Sequence, residues 1–190
     1  MKKTVLLFLA FIFISLTSFS QTFKTPSEGK TLVYFTRVGT MGFAINFRYF
    51  DGEKYIGKFN GNQYYVYECE PGEHTFWASS ENMSVVDANL EAGKVYIIDA
   101  KAKSGAFKAN VELIPLDKNH KKYEKHKSKI LAELRNATEV SFEEAELLEE
   151  QEELQEEIAK GVRYFNALKK HHMEYPIITP DMYYSGATSD

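Results

Sequence analysis

The sequence predicts a mainly β protein: an antiparallel β-sandwich of seven or eight strands with a C-terminal α-helical hairpin. Two observations lead to this prediction. Between residues 31 and 116, short runs rich in Val, Ile, Tyr and Phe alternate with turn residues every eight to twelve residues or so, which is typical of a sandwich or barrel. After residue 116 this rhythm stops, and Lys, Glu and Leu follow in a helical pattern.

Residues 1–20 have the pattern of a bacterial secretory signal peptide: two lysines, an apolar run over residues 5–16, then small residues. We expect cleavage before Gln21 and a linker over 21–30. The apolar run is shorter than the ~20 residues of a membrane-spanning helix, so no membrane span is predicted, and an uncleaved N-terminal anchor is the minor alternative. Losing the two lysines changes the formal net charge from -4 to -6, which argues against nucleic acid as a partner.

Eight candidate strands form the predicted sandwich domain over residues 31–116. They span residues 31–37, 43–50, 54–59, 63–69, 74–80, 83–90, 95–101 and 107–116. Glycine-containing pairs separate several of them. Asp51-Gly52 and Asn60-Gly61 predict tight hairpins because they tolerate positive φ, whereas Ala92-Gly93 and Ser104-Gly105 predict looser ones.

Pro71-Gly72 separates the fourth and fifth candidate strands, and we expect a two-residue hairpin loop there. Because strand side chains alternate, this register turns one set toward the interior: Tyr65, Tyr67, Cys69, His74, Phe76 and Ala78. The opposite face then carries Tyr64, Val66 and Trp77. These three are the candidate binding residues, since monomeric proteins seldom leave such an apolar patch bare. We favour the helical hairpin as its cover, ahead of a partner or a ligand.

Residues 117–172 predict the helical hairpin. The first helix, over 117–136, is basic and has apolar residues along one side: Tyr123, Ile130, Leu131 and Leu134. The second begins at Ser141, which has capping-box spacing to Glu144, and ends near His171. It contains nine glutamates between residues 143 and 157 and a seam of apolar residues: Leu147, Leu154, Ile158, Phe165 and Leu168.

Folded back antiparallel, the lysines of the first helix would lie beside the glutamates of the second. Exposed ion pairs contribute only ~0.2–1 kcal/mol each, so the seam must provide most of the packing energy. Residues 173–190 have two prolines and no periodic pattern. They predict an extended or disordered tail that docks by its Ile and Tyr side chains.

Three stretches carry a resemblance to one family: VYFTRVGT (33–40), DGEKYIGKFNGNQYYVYECEPGEHTFWA (51–78) and LEAGKVYIIDA (90–100). Their order of Asp-Gly, a Gly before an aromatic strand, Pro-Gly-x-His and Ala-Gly-Lys-x-Tyr resembles the secreted bacterial proteins called domain of unknown function 2846. The resemblance covers about residues 30–115. It implies a small β-sandwich and supplies no catalytic residues, because the family has no established activity. Cys69 departs from the pattern, and the helical third lies outside it.

Cys69, the only cysteine, and His74 are the one pair that suggests catalysis. A neighbouring thiol and imidazole can form a nucleophile and a base, but no orienting third group or oxyanion donor is evident nearby. Two ligands are also too few for a closed zinc site. We therefore expect Cys69 to be a small buried residue and His74 to pack and hydrogen-bond across the turn.

The other histidines do not indicate a metal site. His171 and His172 are adjacent, so on a helix they point ~100° apart. His120 and His126 lack the i, i+4 spacing that would place them on one helical face. Strand carboxylates such as Glu68, Asp87 and Asp99 are common on solvated faces, and no P-loop, nucleophile elbow, HExxH or EF-hand pattern occurs. We predict no catalytic residue, no metal and no cofactor.

Three functions remain open. The first is an exported, non-enzymatic interaction or structural protein of the bacterial cell envelope, periplasmic, outer-surface or secreted. In it the C-terminal helices contact another envelope protein or a second copy. The second is a glycan- or small-ligand-binding sandwich, because fifteen aromatic residues lie between Tyr34 and Phe107. The third is a hydrolase that uses Cys69 and His74, although we predict that the protein is not an enzyme.

Overall fold

The computed structural model describes residues 23–39, 44–105 and 109–187. The predicted signal peptide and its cleavage point lie outside these residues, as do the predicted strand starts at 43 and 107. The described part of the chain forms ten β-strands and three α-helices. They are β1 (Thr31–Thr36), β2 (Phe47–Asp51), β3 (Lys54–Phe59), β4 (Gln63–Cys69), β5 (Gly72–Ser79), β6 (Met83–Leu90), β7 (Val95–Ser104), β8 (Ala109–Pro115), α1 (Tyr123–Asn136), β9 (Thr138–Val140), α2 (Glu144–Glu153), α3 (Gln155–Lys170) and β10 (Ile177–Ile178).

The strands form two mixed sheets of five strands each. The first sheet has the order β8-β7-β1-β4-β9, and the second has the order β10-β6-β5-β2-β3. Most neighbouring strands are antiparallel, but β1/β7, β4/β9 and β10/β6 are parallel pairs. The predicted purely antiparallel arrangement is therefore wrong. The additional strands β9 and β10 have three and two residues, too few to show a periodic pattern in the sequence.

The two sheets face each other across a central hydrophobic cluster. Val33 and Phe35 contribute to it from the first sheet, and Phe76, Ala78 and Val86 contribute from the second. The rings of Phe35 and Phe76 meet edge to face across the sheets, with their centroids 5.5 Å apart. Because side chains alternate along a strand, the remaining residues of each strand face outward.

Turns that look alike in the sequence have two different roles. Asp51-Gly52 lies in the β2–β3 hairpin, where Gly52 has a φ of 57°, and Ser104-Gly105 lies between the paired strands β7 and β8. These two hairpins are confirmed. Asn60-Gly61, Pro71-Gly72 and Ala92-Gly93 instead join a strand of one sheet to a strand of the other, so the hairpins predicted there are wrong. Such pairs permit a sharp turn but do not specify which sheet the next strand joins.

The stretch around Cys69 and His74 therefore spans both sheets. Cys69 pairs with Thr31 in the first sheet, and His74 pairs with Ala88 in the second. The inward orientation predicted from the hairpin register is nevertheless confirmed, because the central cluster includes Tyr67, Cys69, Phe76 and Ala78. Two facing sheets and a hairpin both require apolar side chains at alternate positions, so the pattern does not distinguish them.

The helices lie on opposite outer faces of this pair of sheets. α1 packs Ile130 and Leu134 on the first sheet, against Leu32, Tyr34, Val95 and Ile97. α3 packs Ile158 and Leu168 on the second sheet, against Phe50, Tyr55, Trp77 and Val85. The predicted helical hairpin is therefore wrong. Each sheet has an apolar outer stripe, and each helix buries its apolar side against one of them.

The helix boundaries also differ from the prediction. Leu154 divides the second predicted helix into α2 and α3. Glu143 is the residue that precedes α2, and no side chain caps this helix start. The capping box predicted at Ser141 and Glu144 is therefore wrong, since the helix begins after Ser141. α1 likewise begins later than predicted, after a turn.

The C-terminal segment 173–187 returns to the two sheets. Its short strand β10 pairs in parallel with β6. Ile178 and Met182 are buried in the central cluster, and the Tyr184 amide donates a hydrogen bond to the Val95 carbonyl at 2.7 Å. This segment therefore contributes to the same core as the strands.

Candidate functional site

Cys69 and His74 meet Asp51 at the end of the molecule where β4 leads into β5. Nδ1 of His74 lies 2.8 Å from Oδ2 of Asp51, and its Nε2 lies 2.9 Å from the Glu70 carbonyl oxygen. The Tyr67 hydroxyl donates to the same Asp51 oxygen at 3.2 Å. We call Asp51, Tyr67, Cys69 and His74 the Asp51 cluster. It links the two sheets, because Tyr67 and Cys69 belong to the first and Asp51 and His74 to the second.

The Asp51 cluster favours a charged His74. The hydrogen bond to Asp51, followed by the hydrogen bond to Cys69, raises the pKa of His74 to about 10. The imidazolium then donates from both nitrogens, to Asp51 and to the Glu70 carbonyl. Burial, and then the Asp51 charge, raise the pKa of the Tyr67 hydroxyl, which stays protonated as a donor.

Asp51 supplies the orienting third group that was not evident in the sequence, because it contacts Nδ1 of His74. A general base also needs an unprotonated nitrogen directed at the proton that it removes. Both nitrogens of His74 are occupied, and the thiol of Cys69 is on a residue that is only 8% exposed. The Asp51 cluster can therefore hold the turn between β4 and β5 and tie the two sheets together.

The candidate binding residues Tyr64, Val66 and Trp77 do not form one patch. Tyr64 and Val66 lie on the outer face of the first sheet, packed against the cluster that contains α1. Trp77 lies on the outer face of the second sheet, beneath α3. The prediction of a shared surface is wrong because it assumed that β4 and β5 are neighbours in one sheet.

Trp77 is enclosed on all sides. It is 1% exposed, its ring stacks on Phe50 at a centroid distance of 3.8 Å, and its Nε1 donates to the Gly52 carbonyl at 2.8 Å. Gly161 of α3 lies directly against the indole, so that even a Cβ there would overlap the ring. Trp77 is therefore a packing residue that receives α3, and its ring is not available as a platform for a ligand.

A groove that the sequence did not indicate runs between β5, β6, the end of α3 and β10. Its volume is about 580 Å³, and it borders the Asp51 cluster. Asp87 lines the groove and accepts hydrogen bonds from Thr75 at 2.7 Å and from the Tyr175 hydroxyl at 2.9 Å, while Lys169 lies 3.0 Å away. Phe165 and Ile177 supply apolar walls. These groups come from distant parts of the chain, so no local motif could reveal the groove.

Asp99 and His126 form a second polar contact, between β7 and α1. Asp99 is 3% exposed and accepts a hydrogen bond from the Val38 amide at 2.8 Å. Its other oxygen lies 3.2 Å from Nε2 of His126. The expectation of a solvated carboxylate at Asp99 is therefore wrong, because α1 covers this part of the sheet. Within the described residues no group of three or more His, Cys, Asp or Glu side chains is arranged to hold a metal ion.

The outward sides of the helices carry opposite charges. Residues 117–136 have seven Lys or Arg and three Asp or Glu, whereas residues 143–157 have nine Glu and no Lys or Arg. We define the basic surface as Lys121, Lys122, Lys125 and Lys129, and the acidic surface as Glu144, Glu146, Glu149, Glu152 and Glu153; all nine side chains are exposed. Among the described residues none of the nine takes part in an ion pair.

Two neighbouring glutamates instead face the sheet. Glu150 accepts hydrogen bonds from Lys58 and from the Tyr55 hydroxyl, each at 2.8 Å. Burial alone would raise the pKa of Glu150, but these two donors lower it below its usual range. Glu157 lies 3.1 Å from Arg48. These two residues therefore attach the acidic helices to the second sheet, while the acidic surface points away from it.

No protein-family model, curated protein or solved structure matches this chain. Of the helices that the structure describes, none has the length and apolar character needed to cross a membrane.

Proposed function

We propose that this chain is an exported, non-enzymatic interaction protein of the bacterial cell envelope, built as a β-sandwich whose helices contact another protein. The observation that carries the proposal is the charge of the basic surface and of the acidic surface, whose nine side chains form no ion pair among the described residues. α1 and α2 are already attached to the sheets by their inner sides, so these outward charges are not needed for packing. The motif order that resembles domain of unknown function 2846 remains a prediction; it implies export and does not identify a partner.

The surroundings of His74 and Cys69 support the choice of a non-enzymatic role over a thiol hydrolase. Both ring nitrogens of His74 already contact oxygen atoms of Asp51 and Glu70, and Cys69 is only 8% exposed. Cys69 and His74 are therefore assigned to stability. This assignment requires that any activity later found for the protein survives the substitutions Cys69→Ala and His74→Ala.

Export and partner binding can be tested together in the natural host. Mass spectrometry of protein from the cell envelope or the medium should give an N-terminus at or near Gln21. Retention of residues 1–20 in a membrane fraction would contradict cleavage of the predicted signal peptide.

The same cells can be cross-linked, and the tagged protein purified. We expect a cross-linked product that is lost in Glu149→Lys/Glu152→Lys. The matched control Glu28→Lys/Glu53→Lys, which reverses two exposed glutamates outside the acidic surface, should keep the product. Equal yields from both variants would contradict a role for the helical surface.

A small polar ligand in the groove beside Asp87 is the second candidate. The groove of about 580 Å³ supports it, because it combines a cation at Lys169 with hydrogen-bonding groups and apolar walls. A panel of soluble glycans and small acids should then raise the melting temperature of the protein. The increase should vanish in Lys169→Ala and remain in Lys160→Ala, a lysine elsewhere on α3. A melting temperature that no compound changes would remove this candidate.

A further inference from the structure

The basic surface and the acidic surface lie on opposite sides of the molecule. α1 packs on the outer face of the first sheet, and α2 and α3 pack on the outer face of the second. The central hydrophobic cluster separates these two faces. The two surfaces therefore cannot neutralise each other within one chain, although Lys129 and Glu144 are only fifteen residues apart in sequence.

The charges on these two surfaces are complementary. Residues 117–136 have a formal charge of +4, from seven basic and three acidic side chains, and residues 143–157 have a formal charge of −9. A surface of one sign attracts the opposite sign and repels its own, so two basic surfaces or two acidic surfaces would not meet.

Small and apolar side chains accompany the charges. Leu148 is 56% exposed on α2, next to Glu149 and Glu152 of the acidic surface. On α1, the exposed Ser128 and Ala132 are small residues one helical turn apart, beside Lys125 and Lys129. A leucine can pack over small residues of this kind, and the interface would then have an apolar contact surrounded by charges.

We propose that the acidic surface binds the basic surface of a second copy of this chain, so that copies associate head to tail. This inference rests on the proposed function and names its partner. A contact between two different surfaces is heterologous, and because these surfaces lie on opposite faces, each added copy presents a free surface for the next. The product is an open chain or a ring of several copies rather than a closed dimer.

Sedimentation velocity of the purified protein tests this inference. At low ionic strength the average mass should rise with concentration beyond that of two chains. Raising the salt from about 0.05 M to about 0.5 M should weaken the association by about tenfold or more, because salt screens exposed charges. A wild-type protein that stays monomeric at low salt and millimolar concentration would overturn the proposal.

Two charge-reversal variants provide the decisive test. Lys125→Glu/Lys129→Glu removes the net positive charge of the basic surface, which then has two lysines and two glutamates, and Glu149→Lys/Glu152→Lys changes the charge of the acidic surface from −5 to −1. Each variant alone should remain monomeric, whereas an equimolar mixture should associate again, because the unchanged acidic surface of the first variant can bind the unchanged basic surface of the second. Association of a single variant alone, or a mixture that stays monomeric, would overturn head-to-tail binding.

The controls separate this result from nonspecific charge effects. Lys54→Glu/Lys170→Glu has the same net charge as the first variant but changes exposed lysines outside the basic surface, so it should associate like the wild type. Circular dichroism should show that all variants keep the wild-type fold. A monomeric wild type that sediments with phosphatidylglycerol vesicles would overturn the proposal in favour of an anionic membrane surface.

Because these measurements use purified protein, they are independent of the envelope cross-linking. If cross-linking in cells captures a different protein while the purified protein stays monomeric, the proposed function would be supported. Binding to a second copy of this chain would then be refuted.

Discussion

At the scale of single residues, alternation along the strands places Cys69 and His74 on the inner faces of the sheets and Trp77 on an outer face. His74 and Trp77 each contact a residue that the sequence did not predict. His74 contacts Asp51, which lies more than twenty residues earlier in the chain. Trp77 contacts Gly161 of α3. Alternation depends only on the strand itself and is readable in sequence, whereas the identity of a neighbour depends on which sheet each strand joins.

The His74 contact predicts a pH dependence of stability. The pKa of His74 is raised from an ordinary 6.5 to about 10 in the folded protein, so its contribution is complete below about pH 6.5. The contribution should decrease as the pH rises toward 10, by at most about 1.4 kcal/mol per pH unit. Urea unfolding of the wild type and of His74→Gln at several pH values should show their difference in free energy of unfolding shrinking over this range. A constant difference, or an NMR titration of His74 near pH 6.5, would contradict the prediction.

The burial of Trp77 predicts a large cost for Trp77→Ala. Removing a fully buried aromatic side chain costs about 3–5 kcal/mol in the free energy of unfolding. Chemical denaturation measures this cost directly. Tyr164→Ala is the control, because Tyr164 is an aromatic residue of α3 that is 41% exposed, and its loss should cost about 0.5 kcal/mol or less. Similar costs for the two variants would mean that α3 does not cover Trp77.

At the scale of elements, the apolar side of each helix could be predicted from the sequence, but the surface on which it packs could not. The seam residues Leu154, Ile158, Phe165 and Leu168 all contact the second sheet, and α1 uses its own apolar side on the first. The sequence placed both seams correctly but paired them with each other, because their charges are complementary. Packing against the sheets prevails since each seam meets a continuous apolar stripe, whereas exposed ion pairs contribute little.

Gly161→Ala tests the packing of α3. In an ordinary helix interior this change stabilises by about 1 kcal/mol, because alanine is the better helix former. Here the new methyl group would overlap the Trp77 ring, so we expect a loss of about 1–3 kcal/mol in the free energy of unfolding. Asn166→Ala, at an exposed position of the same helix, should be neutral or slightly stabilising. If Gly161→Ala instead stabilises the protein in thermal denaturation, the close packing of α3 against Trp77 and the second sheet would be contradicted.

At the scale of the whole molecule, residues beyond 116 contribute to every hydrophobic cluster. Ile178 and Met182 belong to the central cluster, α1 completes the cluster on the first sheet, and α3 completes the cluster on the second. The sequence suggested a β-sandwich domain over 31–116 that folds alone with a helical appendage. The shared clusters instead favour one cooperative unit from the strands to the C-terminal segment.

A fragment ending at Leu116 distinguishes these two expectations. It would expose Trp77 and the outer stripes of both sheets to water, so we expect it to lack a cooperative thermal transition. Its tryptophan emission should be red-shifted relative to the intact protein, in which Trp77 is 1% exposed. Circular dichroism and fluorescence would follow both properties. Cooperative melting of a β structure in the fragment would show instead that the strands close their own core.

The sequence by itself determined the local features of this protein. Seven of the eight main strands begin and end within a few residues of their predicted bounds, and the inward and outward sides of 63–79 follow from alternation. These properties depend on residues that are neighbours in the chain. Only the tertiary structure decided that three predicted hairpins cross between sheets, that the helices lie on opposite faces, and that His74 binds Asp51. Each of these depends on contacts between distant segments. Glycine turns, apolar seams and charge patterns are compatible with more than one such arrangement, so they do not specify it.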